Sequence, residues 1–244
     1  MKKRGMSHIE VILASILFIG AVSFSLYFFN PPTGSHLREG SLEYTSNLII
    51  ENTSVPVYIY SIWINNSNNQ ITSNSKIVAL DLSYPFSPIP DEINVKAQDF
   101  EGKEMPSEKS ADNSLVYINW SLENGNLIYI MLSEDLEEKN EISESAMINE
   151  NYYRISSNYK EKVMSKKKLI YLNGTYYNDY EGLKELFGLP SKINFGFSAS
   201  FSDNDELNAE RNIGSGIDVL AEESRMLFLH DNNMSFGNFG VKVW

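Results

Sequence analysis

The chain has 244 residues, a formal net charge of −12 at pH 7 and no cysteine. The lack of thiols excludes disulfides and thiolate catalysis, and the acidic balance argues against nucleic acid as a partner. A chain of this length has room for one large β domain, or two small ones, after an N-terminal segment.

The chain opens on a basic tripeptide, Lys2-Lys3-Arg4, then Gly5, Glu10 and an uncharged run over residues 11–29. At about 1.5 Å per helical residue, that run spans close to the ~30 Å hydrocarbon core of a bilayer. With basic residues before it and no comparable cluster close behind, the N-terminus is expected in the cytoplasm and everything after Asn30 outside. A cleaved secretory signal would carry a shorter apolar stretch, about 7 to 15 residues, ending in a small-x-small site. Tyr27-Phe28-Phe29-Asn30-Pro31-Pro32 offers no such site.

Arg4-Gly5-Met6 with Glu10 at the fifth position after Gly5 resembles the class III signal of type IV pilins and their archaeal relatives. The resemblance covers only about the first 30 residues. It implies that a prepilin-type signal peptidase cuts between Gly5 and Met6 on the cytoplasmic side. It also implies that other pilin-like subunits pack against the helix. Glu10 would then be the helix assembly carboxylate, facing the new α-amino group of Met6 about 6 Å away along the axis, on its own chain or a neighbour. Removing residues 1–5 takes away three positive charges and changes the formal charge from −12 to −15.

Pro31 and Pro32 predict that the helix stops near Phe29, because proline lacks an amide donor and restricts the residue before it. The expected organisation is a leader over residues 1–5, a transmembrane helix over 6–29, a short stalk over 30–40 and an extracytoplasmic β domain over 41–244. Filament-forming pilins commonly continue this helix as a packing spine, and the proline pair argues against one here.

Period-two patterning predicts an antiparallel, sandwich-like β domain. In chain order the strands are residues 57–64, 76–82, 93–100 with a turn at Glu101-Gly102, 116–122, and 127–132 after a turn at Glu123-Asn124-Gly125-Asn126. Asn-Gly there is a strong hairpin signal. The acidic stretch 134–151 reads as a linker or mobile loop, either dividing an N-terminal β unit from a C-terminal one or inserted in a single sandwich. Residues 168–177 read as a hairpin turning at Asn173-Gly174. One short helix follows, capped by Asn178 or Asp179, lined by Leu183, Leu186 and Phe187, and ended by Gly188 and Pro190. Strands are then expected over 193–201, 226–230 and 239–244, with a turn at Asp231-Asn232-Asn233 and a buried Trp244.

Little in the sequence points to catalysis, so the chain is not read as an enzyme, and no cofactor is expected. His8, His36 and His230 stand in no metal-ligand spacing, and no nucleophile elbow, phosphate loop or dinucleotide fingerprint occurs. Asp203 and Asp205 alternate oxygen ligands in a calcium-compatible way, but the segment lacks the glycine and distal glutamate of a helix-loop-helix site and equally makes a turn. Asn52, Asn65, Asn119, Asn173 and Asn233 are candidate glycosylation acceptors.

Two functions are expected from these features. One is a pilin-like cell-surface membrane protein, a minor or accessory subunit of a type IV pilus-like assembly. The other is an extracellular binding or adhesion module that uses the helix only as an anchor in the lipid bilayer.

Overall fold

The computed structural model describes residues 12, 13, 15–22, 35–65, 76–82, 88–137, 142, 147, 148, 153–202 and 205–244. Four helices are formed among them: α1 (residues 12, 13 and 15–22), α2 (Ser35–Thr53), α3 (Lys166–Asn178) and α4 (Tyr180–Leu186). The strands are β1 (Ser54–Ile64), β2 (Lys76–Leu80), β3 (Asn94–Asp99), β4 (Glu104–Met105), β5 (Ser107–Lys109), β6 (Val116–Trp120) and β7 (Leu127–Ser133). They continue with β8 (Met147–Ile148), β9 (Tyr153–Ser165), β10 (Phe195–Ser200), β11 (Glu206–Ala209), β12 (Leu220–His230) and β13 (Asn233–Val243).

The mainly β expectation holds, but the sheets are mixed rather than purely antiparallel. A curled nine-stranded sheet runs β11-β10-β13-β12-β9-β1-β7-β3-β4, and a four-stranded sheet runs β5-β6-β2-β8. The β9–β12 and β2–β8 junctions are parallel. Strands from both sides of the acidic stretch 134–151 therefore share one sheet.

β1 is an interior strand of that sheet, beside its middle strand β9, and is buried on both faces. Val55, Val57 and Ile59 face a cluster with Met131, Val163 and Leu229, whereas Tyr60, Ile62 and Ile64 face the small sheet. The register places Met164 opposite Ser54, so the helix-covered core lies on the same face of the large sheet as the small sheet. The four-stranded sheet thus covers one end of this face, and α2, α3 and α4 cover the other.

Two corners carry the chain between sheets. Pro106 separates β4 in the large sheet from β5 in the small one, where proline's missing donor suits a break in pairing. The second corner corrects the expected Asn124-Gly125 hairpin: β6 belongs to the small sheet and β7 to the large one. A 3-10 turn over Leu122–Asn124 reaches Gly125 at φ +70°, and the Trp120 indole donates to the Gly125 carbonyl at 2.8 Å. The fully buried Trp120 fills the corner, and its packing overrides the local turn signal.

The helices overturn two further expectations. Residues 35–40, expected at the end of the stalk, and 41–53, expected at the start of the β domain, form α2, which continues directly into β1 at Ser54. Its inner stripe of Leu42, Thr45, Leu48, Ile49 and Thr53 includes two buried threonines. Each is satisfied by donating to the carbonyl four residues back, Ser41 and Ile49, both at 2.7 Å.

The expected hairpin over 168–177 is helix α3. The Ser165 hydroxyl accepts from the Lys168 amide at 2.9 Å as its N-cap, and Leu169, Leu172 and Tyr176 bury one helical face. More than one short helix therefore interrupts the strands.

The expected helix over residues 179–187 forms as α4. Asp179 accepts from the Gly182 amide at 3.0 Å, and Gly188 ends the helix at φ +62°. Leu183 and Phe187 are buried, but Leu186 points outward, 76% exposed. The C-terminal hairpin also forms: Asp231 and Asn232 both take positive φ, 46° and 62°, the requirement of a two-residue type I′ loop between β12 and β13.

Candidate functional site

Among the described residues, the densest run of exposed large apolar side chains is on α1. Ile12, Leu13, Ile16, Leu17, Phe18, Ile19 and Val22 are all exposed, Phe18 by 71%. Consecutive helical positions are about 100° apart, so Ile16 to Ile19 alone cover every side of the helix. A helix that is apolar all round needs lipid or other protein about it. At about 1.5–3 kcal/mol for burying each large side chain, seven of them amount to roughly 10–20 kcal/mol left unrealised in the isolated chain.

α2 is docked on the β body. Its inner stripe packs against the core beneath α3 and α4, and the Tyr44 hydroxyl lies over Gly188, 3.7 Å from where a Cβ would stand there. Because α2 runs into β1 without a loop, a load on α2 passes straight into an interior strand of the sheet. This docking helix was not expected from the sequence, although the Leu42, Leu48 and Ile49 spacing is a signal for it.

Gly5, Met6 and Glu10 lie outside the described residues, as do Pro31, Pro32 and Asp203. Among the described residues no helix is long and apolar enough to cross a membrane. The apolar run extends beyond them on both sides of α1.

No known family, curated protein or solved structure matches this chain.

The candidate acceptor asparagines are scattered. Asn52 is exposed near the end of α2 and donates to the Leu48 carbonyl at 2.8 Å; Asn65 follows β1, and Asn119 is half-buried in β6. Asn173 lies mid-helix in α3, not in a turn, with its side-chain oxygen buried. The Asn233 side-chain oxygen accepts from Lys96 at 2.7 Å.

Asp205 forms an ion pair with Lys166 at 2.7 Å, so an ammonium occupies the neighbourhood the sequence offered to calcium. No group of metal-ligating side chains is present among the described residues.

One polar cluster was not expected from the sequence, because Ser202 and Ser235 reach His230 only across strands. His230 Nε2 lies 2.8 Å from the Ser235 hydroxyl and 3.3 Å from that of Ser202, and Nδ1 lies 3.4 Å from Asp231. Serine, histidine and aspartate in this order invite comparison with an acyl-transfer triad. In such a triad the acid is buried where it holds the imidazole, whereas the Asp231 side chain is 75% exposed on the hairpin turn. The cluster ties the end of β12 to the segment after β10.

A second cluster packs under the helices. Tyr176 and Tyr180 both donate to the Phe195 carbonyl, at 2.8 and 3.3 Å, and the Arg211 guanidinium stacks 4.1 Å from the centre of the Tyr180 ring. Burial raises both phenols above the ordinary tyrosine value. These groups hold α3 and α4 on β10.

Proposed function

We propose that this chain is a pilin-like cell-surface membrane protein, a minor or accessory subunit of a type IV pilus-like assembly, processed after Gly5. The observation that carries the reading is the apolar surface around all sides of α1, directly after Lys2-Lys3-Arg4-Gly5 and Glu10. α2 supports it by running directly into β1, an interior strand of the β body, so a packed or membrane-held N-terminus would present the body outward.

In this reading the prepilin-type peptidase frees Met6, and Glu10 pairs with the new amino group on the same or a neighbouring helix. The lipid bilayer holds the subunit before assembly. No catalytic role is assigned.

A membrane-tethered binding module is the second reading, favoured by Pro31-Pro32 in the sequence, because proline disfavours the continuous helical spine of a filament subunit. Fractionation separates the two. Sheared surface filaments containing the processed chain support the subunit reading, and processed chain found only as a detergent-extracted monomer supports the tether. Gly5→Leu should block processing in either case.

A further inference from the structure

β9 and β12 run parallel but pair only at Phe228–Met164 and Leu229–Ser165. Ahead of that junction the sheet forks. Residues 154–162 of β9 and 220–227 of β12 each keep one ladder edge that no described strand pairs. An unpaired edge is a template for another strand.

The two edges are not equivalent. β9 carries a bulge, since its pairing with β1 slips between Ser61 and Ile62, and it presents Lys160 and Lys162. Bulges and lysines are the usual guards of a free edge. β12 pairs with β13 without a slip, and residues 220–227 contain neither lysine nor proline.

Two-fold antiparallel pairing brings residues of the same sheet face opposite each other, so one residue must sit on the axis. Centring on Glu222, Glu223 or Arg225 would set like charges face to face. Centring on Ser224 sets Glu223 opposite Arg225, Glu222 opposite Met226 and Ala221 opposite Leu227, each twice. Arg225 is exposed, its guanidinium 4.9 Å from the centre of the Phe236 ring on this same face. Applied to β9, centring on Asn158 opposes Arg154 to Lys162.

We propose that the free edge of β12 is an interface at which a second copy of this chain pairs antiparallel, with the two-fold axis at Ser224. The large sheet then continues from one copy into the next. This contact is independent of any packing by α1.

Directly opposed residues in an antiparallel pair have Cα atoms about 4.5–5.5 Å apart, within reach of a disulfide, and the native chain has no cysteine to interfere. The full chain carrying Ser224→Cys, oxidised in detergent micelles, should give a covalent dimer, whereas Asn158→Cys on the guarded edge should not. Adding Arg225→Glu to Ser224→Cys should lower the dimer yield about tenfold, and Glu223→Arg with Arg225→Glu should restore it. Monomer only from Ser224→Cys, equal cross-linking at Asn158→Cys, or no rescue by the charge swap would overturn the proposal. So would an internal cross-link in a Ser224→Cys, Lys160→Cys double variant of monomer mass, because β12 would then close on its own β9.

Discussion

The buried Lys96 ammonium on β3 donates to the Asn232 carbonyl at 2.9 Å, across 136 residues of sequence. It also donates to the Asn233 side-chain oxygen at 2.7 Å and lies 3.7 Å from Glu104. From the other side, the Asn232 side-chain oxygen accepts from the Glu137 amide at 2.8 Å. β3 and β12 are separated by three strands in the sheet, so this contact exists only because the sheet curls. Lys96 fastens the curl by reaching the β12–β13 turn.

Lys96→Met keeps the apolar stem and removes the charged donor. It should destabilise the fold by about 2 kcal/mol, the range of a hydrogen bond to a charged group. Urea unfolding checks this; an unchanged midpoint would mean that the curl is held by apolar packing alone.

Two glycines should respond in opposite directions to alanine. A Cβ on Gly237 would stand 2.2 Å from the Ser200 carbonyl oxygen and 3.0 Å from the Phe228 ring, so Gly237→Ala forces a strand shift costing about 1–3 kcal/mol. Gly174 lies inside α3 with nothing within 4 Å of such a Cβ, so Gly174→Ala should gain up to about 1 kcal/mol. Thermal melts of the two variants test the pair, and a destabilised Gly174→Ala would argue against helix α3.

Alkaline pH should weaken the fold through Tyr176 and Tyr180. Burial raises both phenols in the folded chain, so the unfolded chain gives up these protons first, and stability falls as pH rises past about 10. Tyr176→Phe loses the bond to the Phe195 carbonyl, about 1 kcal/mol at neutral pH, but should show a shallower loss above pH 10. Denaturant midpoints at pH 8 and pH 11 for both proteins supply the comparison; equal slopes would contradict it.

Removing Trp244 should cost about 3–5 kcal/mol. The residue is buried, and its backbone exchanges two hydrogen bonds with Asn194, at 2.8 and 3.0 Å. A truncated chain ending at Val243 that melts with the full-length chain would show that the last residue does not close the sheet.

β10 was legible because its two faces differ, whereas β9 and β11 carried no pattern read as a strand. Phe195, Phe197 and Ala199 alternate with half-buried serines, and the pattern alone located β10. The β12–β13 turn was legible because Asp231 and Asn232 tolerate positive φ. α3 was misread because Ile170, Tyr171, Tyr176 and Tyr177 favour strands locally and Asn173-Gly174 imitates a turn. The burial of Leu169, Leu172 and Tyr176 on one helical face, a tertiary effect, decides the outcome. α2 was hidden by Gly40 and by its threonines, whose burial depends on bonds back into the helix. The pairing of β1 with β9, and the curl that brings Lys96 to Asn232, depend on distant segments that no local pattern encodes. The contact of Ser202 with His230 was illegible for the same reason.

The most direct test of the central claim is the intact mass of the chain purified from native membranes. Cleavage after Gly5 predicts a mature protein beginning at Met6, with Gly5→Leu retaining the leader. Wild-type protein that still begins at Met1 would contradict the pilin-like account.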